Sequence, residues 1–217
     1  MSNAPPPPLL SSLRGVFDVE GRPVERDAPR PSVRFRSVTL HYFETFRIPV
    51  VQGRTFQEAD LTGEPALVVN ESAARILFAG EPALGRRLRF PLPPTGALLP
   101  KGIAVPRTWH TVAGVTADVR TAEALTDEPN PEIYFVTRPG RWVNLLPVSA
   151  AGNLSLRTTA RPDDAAAFLR QIATDLDPRQ LVTIQTGDEL FTTVTAQPRF
   201  IASLLTGFAA LALLLAA

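Results

Sequence analysis

Two histidines, His41 and His110, and the carboxylate pairs Glu58/Asp60 and Asp163/Asp164 are the residues from which acid–base or metal chemistry would have to be built. A metal centre needs three or four ligands brought together at a recognisable spacing, and neither histidine stands in one, so both are assigned structural roles. Asp163 and Asp164 follow Pro162 and read as the acidic first turn of a helix; Glu58 and Asp60 read as a solvated loop. The chain has no G-x-S-x-G elbow, no phosphate-binding G-x-x-x-x-G-K-[ST] loop and no cysteine, which removes the commonest nucleophiles and a nucleotide site. No catalytic, cofactor-binding or metal-ligating residues are therefore assigned, and the chain is not expected to be an enzyme. Arg86, Arg87 and Arg89 form a small basic cluster that suits lipid headgroups or a partner, but is read first as a solvated strand face. Trp109 and Trp142 are read as core or loop anchors.

Composition narrows the classes further. Lys and Arg total 22 against 21 Asp and Glu, a formal charge of +1, so nothing in the balance draws the chain to nucleic acid. With no cysteine there is no disulfide framework in either redox compartment. The 22 prolines would suit disorder, but 45% hydrophobic residues argue for a folded chain with stiff loops. Residues 1–8 end in a polyproline run and are set apart from the fold. Residues 200–217 hold 18 consecutive uncharged positions, FIASLLTGFAALALLLAA, apolar on every face, and read as the start of a transmembrane helix. No secretory signal precedes the fold, so export is expected to depend on a segment upstream.

The elements follow from periodicity and punctuation. Residues 16–20 and 33–38 alternate as strands, the first closed by Gly21-Arg22-Pro23. Residues 40–48 show helical spacing up to Pro49, and residues 52–56 read as a turn. A strand at 66–69 runs into Asn70, an N-cap for a helix closed by Gly80 in the left-handed region. Strands are expected at 86–90, 109–115, 132–136, 153–158 and 181–185, and residues 91–106 are an irregular Pro- and Gly-rich excursion. Phe168, Leu169, Ile172, Ala173 and Leu176 mark one face of a helix from Pro162 to Asp177, and Thr186 to Glu189 spells a capping box. Strand–helix–strand units near both ends suggest an α+β fold of two lobes, one of residues 12–57 with 151–196 and the other inserted as residues 58–150, followed at 199–217 by the membrane helix.

Tyr42-Phe43-Glu44-Thr45 with Ile48-Pro49 and Gly53-Arg54-Thr55-Phe56 resembles the opening signature of MacB-like periplasmic core domains. Val69-Asn70-Glu71 with Ala74-Arg75, Phe78, Pro82 and Gly85-Arg86 continues it, then Trp109, Val112, Gly114-Val115, Asp118-Val119-Arg120, Pro131-Glu132 and Tyr134. Gln197-Pro198-Arg199-Phe200 looks like the family's passage into an FtsX-like permease. His41 and Arg47 depart from the pattern, standing where the family tends to carry glycine.

This resemblance implies the extracytoplasmic domain of a bacterial ABC-transporter permease, with porter-like and sabre-like lobes, on the periplasmic side of the inner membrane. It implies that the domain couples cytoplasmic ATP hydrolysis to conformational work in efflux or export, with no cofactor. The implied partners are an ABC ATPase, a periplasmic adaptor, a second copy in a homodimer, and lipid around residues 200–217. The residues by themselves leave two other classes open: a periplasmic ligand-binding sensor, which needs a pocket of convergent polar groups, and a membrane-anchored hydrolase, which needs a nucleophile–base pair.

Overall fold

Alternation along the strands decides which of two apolar cores each side chain joins. The computed structural model describes residues 14–22, 31–91, 108–119, 130–137, 154–179, 182–190, 192 and 208. In chain order the elements are β1 (Arg14–Gly15), β2 (Asp18–Val19), β3 (Val33–Val38), α1 (Tyr42–Phe46), β4 (Val50–Gly53), α2 (Ala59–Thr62), β5 (Ala66–Asn70), α3 (Glu71–Phe78), β6 (Arg87–Arg89), β7 (His110–Thr116), β8 (Glu132–Val136) and α4 (Pro162–Leu176). The fold is mixed α and β, and the chain divides into a unit of Met1–Ser155 and a unit of Leu156–Ala217.

The eight strands among the described residues belong to one sheet in the first unit, ordered β1-β3-β8-β5-β7-β6-β2, with β4 also on β7. β3 lies parallel to β8 and β5 parallel to β7, while β5 and β8 are antiparallel. One edge of β7 is taken by β5 along its length; the other is shared, with β6 at His110 and Thr111 and β4 at Gly114 to Thr116. Odd positions of β3 and β8 (Val33, Phe35, Ile133, Phe135) join Leu67, Val69 and the α3 side chains Ala73, Leu77 and Phe78 in one core. Even positions (Val38, Tyr134, Val136) join Val68, Phe56 and the α1 residues Tyr42 and Phe43 in the other. Because both faces are covered, β5 and β8 are buried at every position, as expected of strands with a helix on each side.

The residues expected as one strand at 16–20 do something more consequential. β1 pairs with β3 at one end of the strand order and β2 pairs with β6 at the other, yet only Val16 and Phe17 lie between them. Three extended steps reach about 10 Å, so the two edges of the sheet are drawn together. Phe17 fills the closure: its ring lies 4.6 Å from Phe90, 6.0 Å from Phe35 and 6.2 Å from Phe135, centre to centre. Burying that side chain contributes roughly 1.5–3 kcal/mol. Arg22, just after the closure, donates through Nη1 to Leu77 O (3.1 Å) and through Nη2 to Phe78 O (2.9 Å), satisfying carbonyls at the C-terminus of α3.

Several expectations are corrected. Residues 50–53 form β4 rather than leading into a turn at Gln52, because Gly53 at φ +69° lets the backbone run against Gly114. The helix of residues 40–48 ends at Phe46, before Pro49, with Arg47 left-handed at φ 53° and Ile48 N donating to Phe43 O at 2.9 Å. That conformation accounts for Arg47 standing where glycine suits the pattern: an L-residue there costs about 1–2 kcal/mol. The left-handed closure of α3 begins at Ala79 (φ 52°), one residue before Gly80 (φ 86°). Residues 154–158 and 182–185 carry no strand ladder, and Leu154 and Leu156 are 70% and 57% exposed. The border expected at residue 57/58 crosses the sheet, since β3 and β4 from 12–57 pair with β8 and β7 from 58–150.

In the second unit, α4 starts at Pro162 and ends at Leu176 as its caps predicted. At 186–189 the box is formed on both sides, Thr186 N donating to Glu189 Oε2 (2.8 Å) and Glu189 N to Thr186 Oγ1 (3.2 Å); the backbone bond from Thr186, with its side chain, holds the Glu189 carboxyl below its usual value. No helix among the described residues is long and apolar enough to cross a membrane. Apart from Phe208, residues 199–217 lie outside the described residues, as do most of the 91–106 excursion, Arg120 and Trp142.

Candidate functional site

Among the described residues of the first unit, three polar knots stand out, two of them tying segments distant in sequence and one closing a single turn. The most buried is on the α1 face of the sheet. Arg36 on β3 and Glu132 on β8 form an ion pair with side chains 1% and 2% exposed, the Arg36 Nε donating to Glu132 Oε1 at 2.5 Å and its Nη2 meeting the same oxygen. Arg36 Nη1 also donates to Tyr42 OH (3.0 Å), and Tyr134 OH donates to Glu132 Oε2 (2.8 Å). Parallel pairing places Arg36 beside Tyr134, with its guanidinium 5.9 Å from the ring centre. The Tyr134 ring packs in turn on Phe43 (5.0 Å) and Tyr42 (5.9 Å).

Burial is the largest influence on these groups. It holds the Tyr42 phenol at about 12, with Glu132 adding to the rise and Arg36 opposing it. Tyr134 is driven well above the ordinary phenol value by burial and then by Glu132. For Arg36 burial works against the cation, but Glu132 and the two phenol dipoles raise its pKa. An acid, a base and two phenols are thus tied to one another and shut off from water, an arrangement suited to fastening rather than to proton exchange with a substrate.

The second knot surrounds Asn70. Its Oδ1 accepts from Ala73 N (2.9 Å), the N-cap bond expected from the sequence, and also from Glu132 N (2.8 Å), while its Nδ2 donates to Asn130 O (2.7 Å). Beside it, Asp118 accepts from Ser72 N (2.9 Å) and Ser72 Oγ (2.6 Å), and Arg75 reaches both Ser72 Oγ (3.0 Å) and Asp118 (3.3 Å). Two free amides of the first turn of α3 are therefore met by side chains, one at the end of β5 and one in the segment after β7. The third knot closes the 54–62 turn: Arg54 donates two bonds to Asp60 (2.6 and 2.9 Å), whose Oδ2 also accepts from Gln57 N (2.8 Å). This bidentate bond raises the Arg54 pKa.

The residues singled out in the sequence are not brought together. His41 is exposed at the start of α1, its Nδ1 3.1 Å from Glu44; His110 opens β7, its Nδ1 3.0 Å from Thr108 O and its ring edge-on to Phe135 at 5.1 Å. Asp60 is buried, not solvated, and its segment is helical in α2, while Glu58 is exposed. Asp163 and Asp164 occupy the first turn of α4, as expected. Arg86 pairs with Glu81, Arg87 with Glu20 (2.6 Å from Nε), and Arg89 with Asp18 (3.3 Å), so the basic cluster serves to hold β2 and its turn on β6. Arg89 also lies 4.4 Å from the Trp109 ring centre, a cation–π contact that gives that tryptophan its anchoring role. Among the described residues no group of three His, Cys, Asp or Glu is placed to hold a metal ion.

Sequence reasoning missed the Arg36–Glu132 pair. The alternation of Arg34 and Arg36 with Val33, Phe35 and Val38 reads as a strand with one wet face, whereas both arginines are buried. The available signal was an acid inside the apolar run Glu132–Val136, which needs a cation once that strand is placed in a sheet interior.

Comparison with known proteins gives a consistent picture. The family profile described as the MacB-like periplasmic core domain matches residues 8–194. No curated protein sequence matches. Among solved structures, the periplasmic region of MacB from Actinobacillus actinomycetemcomitans aligns over 84% of this chain and 72% of its own, at 17% identity and a TM-score of 0.53, a likeness of fold. The extracellular domain of the noncanonic ABC-type transporter YknZ from Gram-positive bacteria aligns over 58% of this chain and 54% of its own, at 19% identity and a TM-score of 0.35. The segments through which the sequence resembles the family include the knots: Tyr42, Arg54, Asn70, Arg75, Asp118, Glu132 and Tyr134 each contribute a side chain.

Proposed function

The chain belongs to the MacB-like periplasmic core domain family, and on that premise we propose that it is the extracytoplasmic domain of an ABC-transporter permease, coupling cytoplasmic ATP hydrolysis to conformational work outside the membrane in efflux or export. The observation that carries this reading is the family match over residues 8–194. The chemistry of the described residues agrees with it: Arg36 is spent on Glu132 and Arg54 on Asp60, as suits a body that transmits force without reacting. The domain in this reading is not an enzyme and needs no cofactor.

The proposal includes an ABC ATPase partner, a homodimeric transporter, a periplasmic adaptor and lipid around residues 200–217, whose sequence reads as the start of a membrane helix. It also keeps the two lobes, residues 12–57 with 151–196 and residues 58–150, whose strands β3 and β8 share a ladder. The test is co-purification of the full-length protein from membranes, followed by an ATPase assay with and without this domain. A co-purifying ABC ATPase whose turnover changes when the domain is removed supports the proposal. A protein with no ATPase partner, attached instead to a kinase or chemoreceptor module, overturns it in favour of a sensor.

A further inference from the structure

We draw no further inference here: the strongest candidate, the apolar face of α4 with Phe168 63%, Ile172 39% and Leu176 80% exposed, carries nothing because nothing in the structure shows what covers it.

Discussion

Arg36 and Glu132, 96 positions apart in sequence, face each other as a buried ion pair between the parallel strands β3 and β8. Desolvating two charges costs several kcal/mol, which their attraction returns only while both are present. Removing one partner is therefore expected to cost more than removing both. Glu132→Gln and Arg36→Met each lower the unfolding free energy by about 3–5 kcal/mol, and the double variant loses less than either single one, a coupling of about 3 kcal/mol or more. Urea unfolding of the four proteins measures this; additive losses would mean that the pair is not a unit.

The two tyrosines of the chain, Tyr42 and Tyr134, both sit in this knot, so tyrosinate absorbance reads the knot directly. An unfolded phenol ionises near pH 10, whereas burial holds Tyr42 at about 12 and Tyr134 well above its ordinary value. Where the unfolded chain has released these protons and the folded chain has kept them, stability falls as pH rises. The contribution is thus intact below about pH 10 and is lost from there through about pH 12. At the pH where the urea-unfolded chain is half ionised, the native protein is expected to show almost no tyrosinate signal. Ionisation of the native chain in step with the unfolded one would contradict the buried geometry.

Gly114 and Gly80 separate two reasons for glycine. A Cβ on Gly114 would lie 2.1 Å from Arg54 O, so alanine there forces β4 away from β7; a Cβ on Gly80 meets nothing within 4 Å, and only its φ of +86° resists substitution. Gly80→Ala is expected to cost about 1–2 kcal/mol. Gly114→Ala costs more and releases the Arg54 amide, which now donates to Ala113 O at 3.0 Å, to rapid hydrogen exchange. Equal losses with an unchanged Arg54 amide would show that β4 is not packed as described.

Local structure was legible in the sequence where a single segment determines it. Residues 33–38, 132–136 and 162–176 match β3, β8 and α4, and the caps at Asn70 and Thr186 form the bonds their residue types imply. What periodicity does not carry is partnership. Nothing within 33–38 says that its neighbour is 132–136, and without that neighbour Arg36 reads as wet. The same gap hid the closure at Phe17, where one apparent strand splits to serve both edges of the sheet. It also turned exposed Leu154 and Leu156 into an expected strand, because alternation alone does not provide a partner for the backbone. The Asp60 knot was missed for a related reason: an acidic loop looks solvated until Arg54 is seen folding back on it.

The central claim is that this domain changes shape with the nucleotide state of its ATPase. Residues 1–217 contain no cysteine, so cysteines introduced at the exposed positions Glu64 and Arg161, one in each unit, carry the spin labels once any cysteines elsewhere in the transporter and its ATPase are replaced and only one protomer of the homodimer is labelled. The measurement is the distance distribution between them by pulsed electron resonance, in the full-length transporter reconstituted with its ATPase, nucleotide-free and after trapping with ATP. Force transmission predicts a displaced or newly populated distance in the trapped state. Superimposable distributions, with ATP turnover confirmed in the same sample, would contradict it.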